Sequence, residues 1–282
     1  MSALEFRSAA ERSSPELAAL FTRGYERYYT PVAVSAADFE NMVFTTDLDL
    51  AASRLALEGG SPVAFAFLGV RGARGWVGGM GVVPESRGRG FGLRVMERLI
   101  DSAIQTGMTE LDLEVLVQNT PAASIYEELG FRDRRRLDVW VRDPAALPPS
   151  GAPASPLIEL PVAECLELHE RFHPARPPWQ RALESLERWA PRLSALGARD
   201  RDGIRGWVMY RPAGERLNLA DLAIRPGADP APIVDALAEV IRRHPQATTT
   251  LVNLPSDDPF AALLPRVGAA IRLSQREMSL AL

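Results

Sequence analysis

One sequence feature limits the possible folds of this chain most. It is an apolar segment that leads directly into a loop of glycine and arginine, which is followed by an amphipathic helix. The segment 76–83 is apolar and rich in glycine, and residues 88, 90 and 92 are all glycine. From there on, apolar residues recur at the spacing of one helix face, at Phe91, Val95, Met96, Leu99, Ile100 and Ala103. The sequence therefore predicts a strand, a tight turn and a helix that meet at one point.

The loop has the properties of an anion site. Glycine lets the backbone turn tightly and approach a ligand closely, and successive N–H groups at a helix start can converge on one anion. We therefore predict a pyrophosphate cradle, to which Arg87 and Arg89 add positive charge. Two alternatives stay open on the loop alone. One is a solvated tight turn, and the other is a dinucleotide-binding fold with Asp112 or Glu114 as its acidic residue.

Length and composition limit the class of protein. A chain of 282 residues is long enough for two domains, and 46% hydrophobic with 24% charged residues is typical of globular proteins. No apolar run is long enough to cross a bilayer, and the first residues lack the pattern of a signal peptide. We therefore expect a cytoplasmic protein with no membrane partner. The net charge of -4 argues against nucleic acid as a partner.

Two residue types exclude further chemistry. All 32 basic residues are arginine, so Schiff-base lysine and P-loop lysine chemistry are excluded. Cys165 is the only cysteine, which rules out an intrachain disulfide and a cysteine-based metal site.

One motif suggests a metal. The segment His169 to His173 fits H-E-x-x-H, the pattern of zinc peptidases. Pro174 ends the predicted helix immediately afterwards, and a third ligand would have to come from Glu184, Glu187 or a more distant residue. We therefore expect no metal site.

The pattern of elements occurs twice. Residues 119–121 and 257–259 each start a helix with a capping residue and a proline, and Gly130 and Gly268 end it; both pairs are 138 residues apart. A stretch rich in proline, alanine, serine and glycine separates the two copies. We predict a domain over 1–145, a linker over 146–155 and a second domain over 156–282. The second copy has a single glycine in its loop, so only the first is expected to hold a phosphate.

The loop resembles a known signature. Val82-Val83-Pro84 followed by residues 87–92 is similar to the R/Q-x-x-G-x-G/A motif of the GNAT acyltransferase superfamily. Asn119, Ala122, Tyr126 and Gly130-Phe131 stand at the spacing of the second motif of that superfamily. The resemblance covers about 1–145 well and 156–282 only as a degenerate copy.

This resemblance implies an α/β fold with a mixed sheet (α+β), arranged as two tandem GNAT-like acyl-CoA N-acyltransferase domains. The sheet would splay between the strands at 76–83 and 111–116, with acetyl-CoA as acyl donor in the gap. The main chain of two valines would pair with the pantetheine arm, the loop would bind the pyrophosphate, and an asparagine would contact the cofactor arm. The implied cofactor-binding residues are Val82, Val83, Arg87, Gly88, Arg89, Gly90, Phe91, Gly92 and Asn119.

Acetyl transfer to an amine needs a base for the amine proton and an acid for the leaving thiolate. Tyr126 is the expected acid, since phenol and thiol have pKa values of about 10 and about 8.5; an ordinary half-buried tyrosine is the alternative. The stretch 113–115 through Tyr126 is similar to ribosomal-protein N-terminal acetyltransferases, which implies Glu114 as base. The cluster of Tyr25, Tyr28 and Tyr29 either lines the acceptor pocket or packs in the core.

The sequence thus predicts an N-acetyltransferase that moves acetyl from acetyl-CoA to a primary amine by direct attack in a ternary complex. The acceptor would be a small-molecule amine or a peptide N-terminus, and the second domain would close the acceptor site or support assembly. A non-catalytic acyl-CoA sensor or interaction module is the alternative. Neither the acceptor nor the oligomeric state can be inferred from these residues.

Overall fold

The computed structural model describes residues 4–146, 153 and 156–282. The chain divides into two units. Unit 1 comprises the residues up to Arg134 together with Arg276–Leu282, and unit 2 comprises Arg135–Gln275. Most of the predicted linker 146–155 lies outside the described residues.

The described chain contains seven α-helices and twelve strands. The strands are β1 (Leu4–Ser8), β2 (Leu48–Glu58), β3 (Ser61–Arg71), β4 (Arg74–Val82), β5 (Glu110–Leu116), β6 (Arg132–Arg142), β7 (Ile158–Leu160), β8 (Ser194–Asp200), β9 (Gly203–Ala213), β10 (Arg216–Ile224), β11 (Thr248–Pro255) and β12 (Ala270–Ala281). The helices are α1 (Ser14–Gly24), α2 (Ala36–Thr45), α3 (Phe91–Gln105), α4 (Thr120–Glu128), α5 (Val162–Phe172), α6 (Leu183–Trp189) and α7 (Ala231–Arg243).

Each unit has a sheet of antiparallel and parallel strands. The order in unit 1 is β1-β2-β3-β4-β5 followed by the end of β12, and the order in unit 2 is β6-β11-β10-β9-β8-β7. In both units a strand, two helices, three strands, a helix and a strand follow one another, which confirms the predicted repeat. The pairs β1–β2, β2–β3 and β3–β4 are antiparallel and β4–β5 is parallel. This mixed sheet argues against the dinucleotide-binding alternative, whose sheet is mostly parallel.

The sheet of unit 1 splays where the resemblance implied. Strands β4 and β5 pair only from Arg74–Glu110 to Trp76–Asp112, and the rest of β4 has no register with β5. Unit 2 repeats this arrangement, since β10 and β11 pair only from Arg216–Thr248 to Leu219–Leu251. Each unit therefore contains a groove between two parallel strands that diverge.

The sixth strand of unit 1 comes from the far end of the sequence. Leu282 N–H donates to Thr109 O at 3.0 Å, and the Arg276 guanidinium contacts the carboxylates of Glu127 and Asp133, each at 2.7 Å. Most of β6, which the sequence assigns to the first half, belongs to unit 2. The domain bounds 1–145 and 156–282 stay a prediction, and the units divide the chain at a different place.

Helix α3 packs against the sheet and so fixes the position of the loop that precedes it. Its buried face contains Val95, Met96, Leu99 and Ala103, as the spacing predicts, whereas Ile100 is only partly buried. Each large side chain buried in this way contributes roughly 1.5–3 kcal/mol. The start of the helix is therefore held rigidly beneath the loop.

One predicted helix is wrong. The sequence predicts a helix that starts at 257–259 and ends at Gly268, but the structure has only a short 3-10 helix there, Leu264–Val267. Among the described residues, no helix combines the length and apolarity that a membrane crossing requires.

Candidate functional site

Two adjoining cavities lie in the groove of unit 1. The first, which we call the loop cavity, has a volume of about 530 Å³ and is lined by the glycine loop and the end of β4. The second, the strand cavity, has a volume of about 120 Å³ and lies between β4 and β5. They share the lining residues Tyr25, Tyr28, Met80, Asn119 and Ala122, so they form one continuous groove.

The glycine loop is built as an anion nest. Gly88 and Gly90 have φ angles of 74° and 75°, in the left-handed region that favours glycine, and Gly90 is the N-cap of α3. A Cβ at either position would meet nothing within 4 Å, so the loop backbone faces open space. The first N–H groups of a helix have no acceptor within the helix, and here they follow directly on the loop. The loop can therefore hold an anion with its backbone.

Gly92 has a different role, because a Cβ there would lie 3.3 Å from Ile125 Cδ1. It allows α3 and α4 to pack closely. Phe91 also lines the loop cavity, and the Arg89 guanidinium lies 4.5 Å from the centroid of its ring.

The two loop arginines are held by other groups of unit 1. Arg87 donates to the carbonyls of Val82, Gly24 and Glu26 at 3.0, 3.0 and 2.7 Å. Arg89 forms a two-pronged ion pair with Glu58, one contact of which is 2.8 Å. The sequence predicts that both arginines add positive charge to the loop. In the structure, Arg87 joins the loop to the end of α1, and the charge of Arg89 is balanced by a carboxylate.

The two valines differ in their main chains. Val83 N–H donates to Val63 O at 3.0 Å, and its carbonyl accepts from Ser86 N–H at 2.9 Å, so the structure already uses both groups. Backbone direction alternates along a strand, which turns the Val82 N–H toward the groove. Val82 also lines the loop cavity. The Val82 N–H is therefore open to the expected main-chain pairing, whereas both main-chain groups of Val83 already have partners within unit 1, and the cofactor contact of each valine stays a prediction.

Asn119 lies at the junction of the two cavities. It is the N-cap of α4, where its Oδ1 accepts from Ala122 N–H at 3.4 Å. Its Nδ2 donates to the Tyr28 hydroxyl at 3.5 Å. Both contacts are long. The Asn119 side chain therefore caps α4 and also lines the groove.

The strand cavity brings together the two residues predicted for proton transfer. Glu114 and Tyr126 both line it. Glu114 Oε2 accepts from Trp76 Nε1 at 2.8 Å, across the point where β4 and β5 begin to diverge. This bond fixes the carboxylate at the wall of the cavity.

The hydroxyl of Tyr126 is buried, with 6% of the residue exposed. Burial raises the pKa of Tyr126 well above its ordinary value, and the neighbouring Tyr25 and Tyr28 raise it further. The phenol therefore stays protonated and can act as a donor.

The aromatic cluster packs in the core, as one of the two alternatives predicts, and it also lines the groove. Tyr25 stacks on Phe21 with ring centroids 4.7 Å apart, and Phe21 packs on the core residue Phe65 at 5.4 Å. Tyr25 and Tyr28 also line both cavities, whereas Tyr29 is 48% exposed and donates to Gln118 O. The cluster thus joins the core of unit 1 to the groove.

Sequence reasoning missed the contribution of Trp76 and Glu58. Each is the partner of a predicted site residue but stands tens of residues away from it, and no local pattern links such pairs. The one sequence-based expectation that points to Trp76 is the divergence of β4 and β5, because it brings Trp76 opposite the strand that carries Glu114.

Comparison with known proteins identifies the fold. Residues 15–131 match the model of the acetyltransferase (GNAT) family. Mycothiol acetyltransferase of Clavibacter sepedonicus is 30% identical over 116 residues, which cover 41% of this chain and 38% of that protein. Thialysine N-epsilon-acetyltransferase of Sus scrofa is 34% identical over 59 residues, which cover 21% of this chain and 35% of that protein.

A solved structure is similar over the whole chain. It is a tandem GNAT protein from the clavulanic acid biosynthesis pathway, with a TM-score of 0.70 and 16% sequence identity over 99% of this chain and 98% of that one. The chain thus has the mixed α/β fold of tandem GNAT proteins, and residues 15–131 match the model of the GNAT acetyltransferase family. The match spans well under half the length of the two curated relatives.

Proposed function

We propose that this chain, whose residues 15–131 form a GNAT acetyltransferase domain, transfers an acetyl group from acetyl-CoA to a primary amine in the groove of unit 1. The observation that carries the proposal is the continuous groove, which has an anion nest at one end and a fixed carboxylate and buried phenol at the other. The names of the relatives support an amine acceptor, since one of them acetylates the ε-nitrogen of thialysine.

The residues of the groove fit acetyl-CoA. The backbone of residues 88–92, at the start of α3, would hold the pyrophosphate, because open space in front of Gly88 and Gly90 leaves room for it. The main chain of Val82 would pair with the amides of the pantetheine arm, which takes the place of the strand pairing that β4 lacks here. Asn119 would contact the same arm near the junction of the cavities.

The acceptor would enter the strand cavity as the neutral amine, and Glu114 takes the proton that its nitrogen loses once it has attacked. The nitrogen lone pair forms a bond to the thioester carbonyl carbon, and the carbon–sulfur bond breaks as the tetrahedral adduct collapses. Tyr126 donates its hydroxyl proton, or a hydrogen bond, to the leaving sulfur. The products are the acetylated amine and CoA, and the proton held by Glu114 returns through solvent to the phenolate.

Trp76 would act as a positioning residue. Its indole N–H donates to Glu114 and lies on the strand opposite, so it sets the direction in which the carboxylate faces the cavity. A shift of about 1 Å in a catalytic group can cost roughly 100-fold in rate.

Calorimetric titration of acetyl-CoA, CoA and NAD into the protein and its Gly90→Asp variant tests the donor site. The added carboxylate would stand in the anion nest, so we expect acetyl-CoA and CoA to bind wild type and to lose at least tenfold in affinity in the variant. NAD should bind neither protein.

Gly72→Asp is the matched control. Gly72 also has a positive φ, of 57°, and open space around a Cβ, but it lies in the turn between β3 and β4, at the end of β4 away from the loop. The Gly72→Asp variant should bind acetyl-CoA with the affinity of wild type. Absence of CoA binding by wild type, or equal loss in both variants, would overturn the donor site.

A further inference from the structure

Unit 2 contains a cluster of metal-binding side chains that the acetyl-transfer site does not use. Helix α5 carries His169 and, at its C-cap, His173, and their rings lie 4.5 Å apart between centroids. Both face Asp221 on β10, and one ligand atom from each residue lies within 4.8 Å of the others. The third ligand that the sequence sought in Glu184, Glu187 or beyond is therefore supplied by a strand.

The carboxylate of this cluster is completely buried and held in a fixed orientation. Asp221 Oδ1 accepts from Arg181 Nη2 at 3.0 Å, and Oδ2 accepts from Trp207 Nε1 at 2.9 Å. Oδ2 also lies 3.0 Å from His173 Nε2. Hydrogen bonds of this kind orient the carboxylate ligands of metal sites.

His169 is the part of the cluster that hydrogen bonding does not explain. It is 1% exposed, and within the described chain neither of its ring nitrogens has a well-formed hydrogen bond; its one polar contact is a weak one with the backbone of Arg181. A buried polar group without a partner is unfavourable, and a bound ion is one of the ways in which proteins satisfy it.

We propose that His169, His173 and Asp221 bind one divalent transition-metal ion, with Zn²⁺ as the first candidate. Two imidazoles and a carboxylate are a common donor set for such ions. The ion would take the place of the proton that now lies between His173 Nε2 and Asp221 Oδ2, and it would use a ring nitrogen of His169. Ligand atoms of a tetrahedral zinc site lie roughly 3.4 Å apart, so the widest pair in this cluster closes by about 1.4 Å on binding.

An entry path exists for the ion. His173 and Arg181 line a cavity of about 310 Å³ at the groove of unit 2, between β10 and the segment that follows β11. Asp257 and Asp258 line the same cavity. The remaining coordination position of the ion would face this cavity.

The site is not that of the zinc peptidase suggested by the H-E-x-x-H motif. Glu170, which would be the general base of such an enzyme, is exposed on α5 and lies outside the cluster. The proposal therefore concerns an ion that holds α5 to β10.

The test uses the full chain, freed of metal with a chelator and then titrated with Zn²⁺ alone. Calorimetry and metal analysis should give one ion per chain for wild type. His169→Phe keeps a ring of similar size and should weaken binding at least 100-fold, and His244→Ala, which removes the one histidine outside the cluster, should leave affinity and stoichiometry unchanged.

Thermal unfolding gives a second, independent readout. In chelator, His169→Phe should melt at or above the temperature of wild type, because an apolar ring replaces a polar one that lacks a well-formed hydrogen bond. In Zn²⁺, the wild-type melting temperature should rise by several degrees while that of the variant stays constant. Wild type that binds no Zn²⁺, or binds it equally well after His169→Phe, would overturn the proposal, and a folded variant in chelator makes either result decisive.

Discussion

Single side chains decide what the groove of unit 1 can do. The carboxylate of Glu114 is fixed by the indole of Trp76, and the phenol of Tyr126 is kept in its protonated form by burial. The two residues line the same small cavity, so the proposed base and the proposed acid face one space. The proposed acetyl transfer depends on these two side chains, one to accept the proton of the amine and one to donate to the leaving sulfur.

The pH dependence of the rate tests the role of Tyr126. Burial raises the pKa of this phenol, so its acid form persists above the ordinary titration near pH 10. As pH rises, the acceptor amine becomes neutral and kcat should increase, then stay level at least to pH 10. The measurement is kcat against pH with saturating acetyl-CoA.

An alkaline fall in kcat with a midpoint below pH 9, present in wild type and absent in Tyr126→Phe, would contradict the raised pKa of this phenol. It would mean that the phenol ionises more easily than its burial allows.

At the scale of elements, the loop depends on a tie to α1. Arg87 donates to three backbone carbonyls, one at the last residue of that helix, Gly24, and one two residues beyond it, Glu26. The anion nest therefore keeps its shape through a side chain that the sequence predicted as a source of charge.

Replacing Arg87 should separate these two roles. Arg87→Ala should weaken acetyl-CoA binding at least tenfold in calorimetry, and Arg87→Lys should do the same, because a lysine keeps the charge but cannot bridge three carbonyls. Arg98→Ala, on the exposed face of α3 where it pairs with Asp101, is the control and should bind normally. If Arg87→Lys binds like wild type, charge and not the tie is what matters.

Local patterns predicted the elements well where the determinants are close in sequence. The spacing of Val95, Met96 and Leu99 predicted α3 and its buried face, and the glycines predicted the left-handed turn before it. The splay came from the family resemblance and was confirmed. The H-E-x-x-H motif was found, but its third candidate ligand, Asp221, lies on a strand 48 residues beyond His173, and no local pattern connects them.

At the scale of the whole molecule, two strands belong to a different unit from the one that their position in the sequence predicts. The strand that follows Phe131 reads as the end of the first repeat, yet most of it belongs to unit 2, and Arg276–Leu282 fills the sixth place in unit 1. Sequence pattern indicates that a segment forms a strand, but it does not say which neighbour that strand will pair with.

Deletion of Arg276–Leu282 should therefore damage the half of the chain that is farthest from it in sequence. The deletion removes the buried Met278 and the hydrogen bonds to Thr109, Glu127 and Asp133, so unit 1 should lose on the order of 3 kcal/mol or more. Hydrogen exchange should show β5 losing protection while β9, in unit 2, keeps it. Equal loss in the two strands, or loss in β9 alone, would contradict the assignment of this segment to unit 1.

The central claim is catalysis in the groove of unit 1, and amine-dependent release of CoA from acetyl-CoA tests it most directly. With a panel of primary amines and peptides, wild type should release CoA and form the acetylated amine. Tyr126→Phe should bind acetyl-CoA with unchanged affinity but lose roughly 100- to 10,000-fold in kcat. If wild type binds acetyl-CoA and no amine promotes release, or if Tyr126→Phe turns over as fast as wild type, the groove holds acyl-CoA without performing the proposed chemistry.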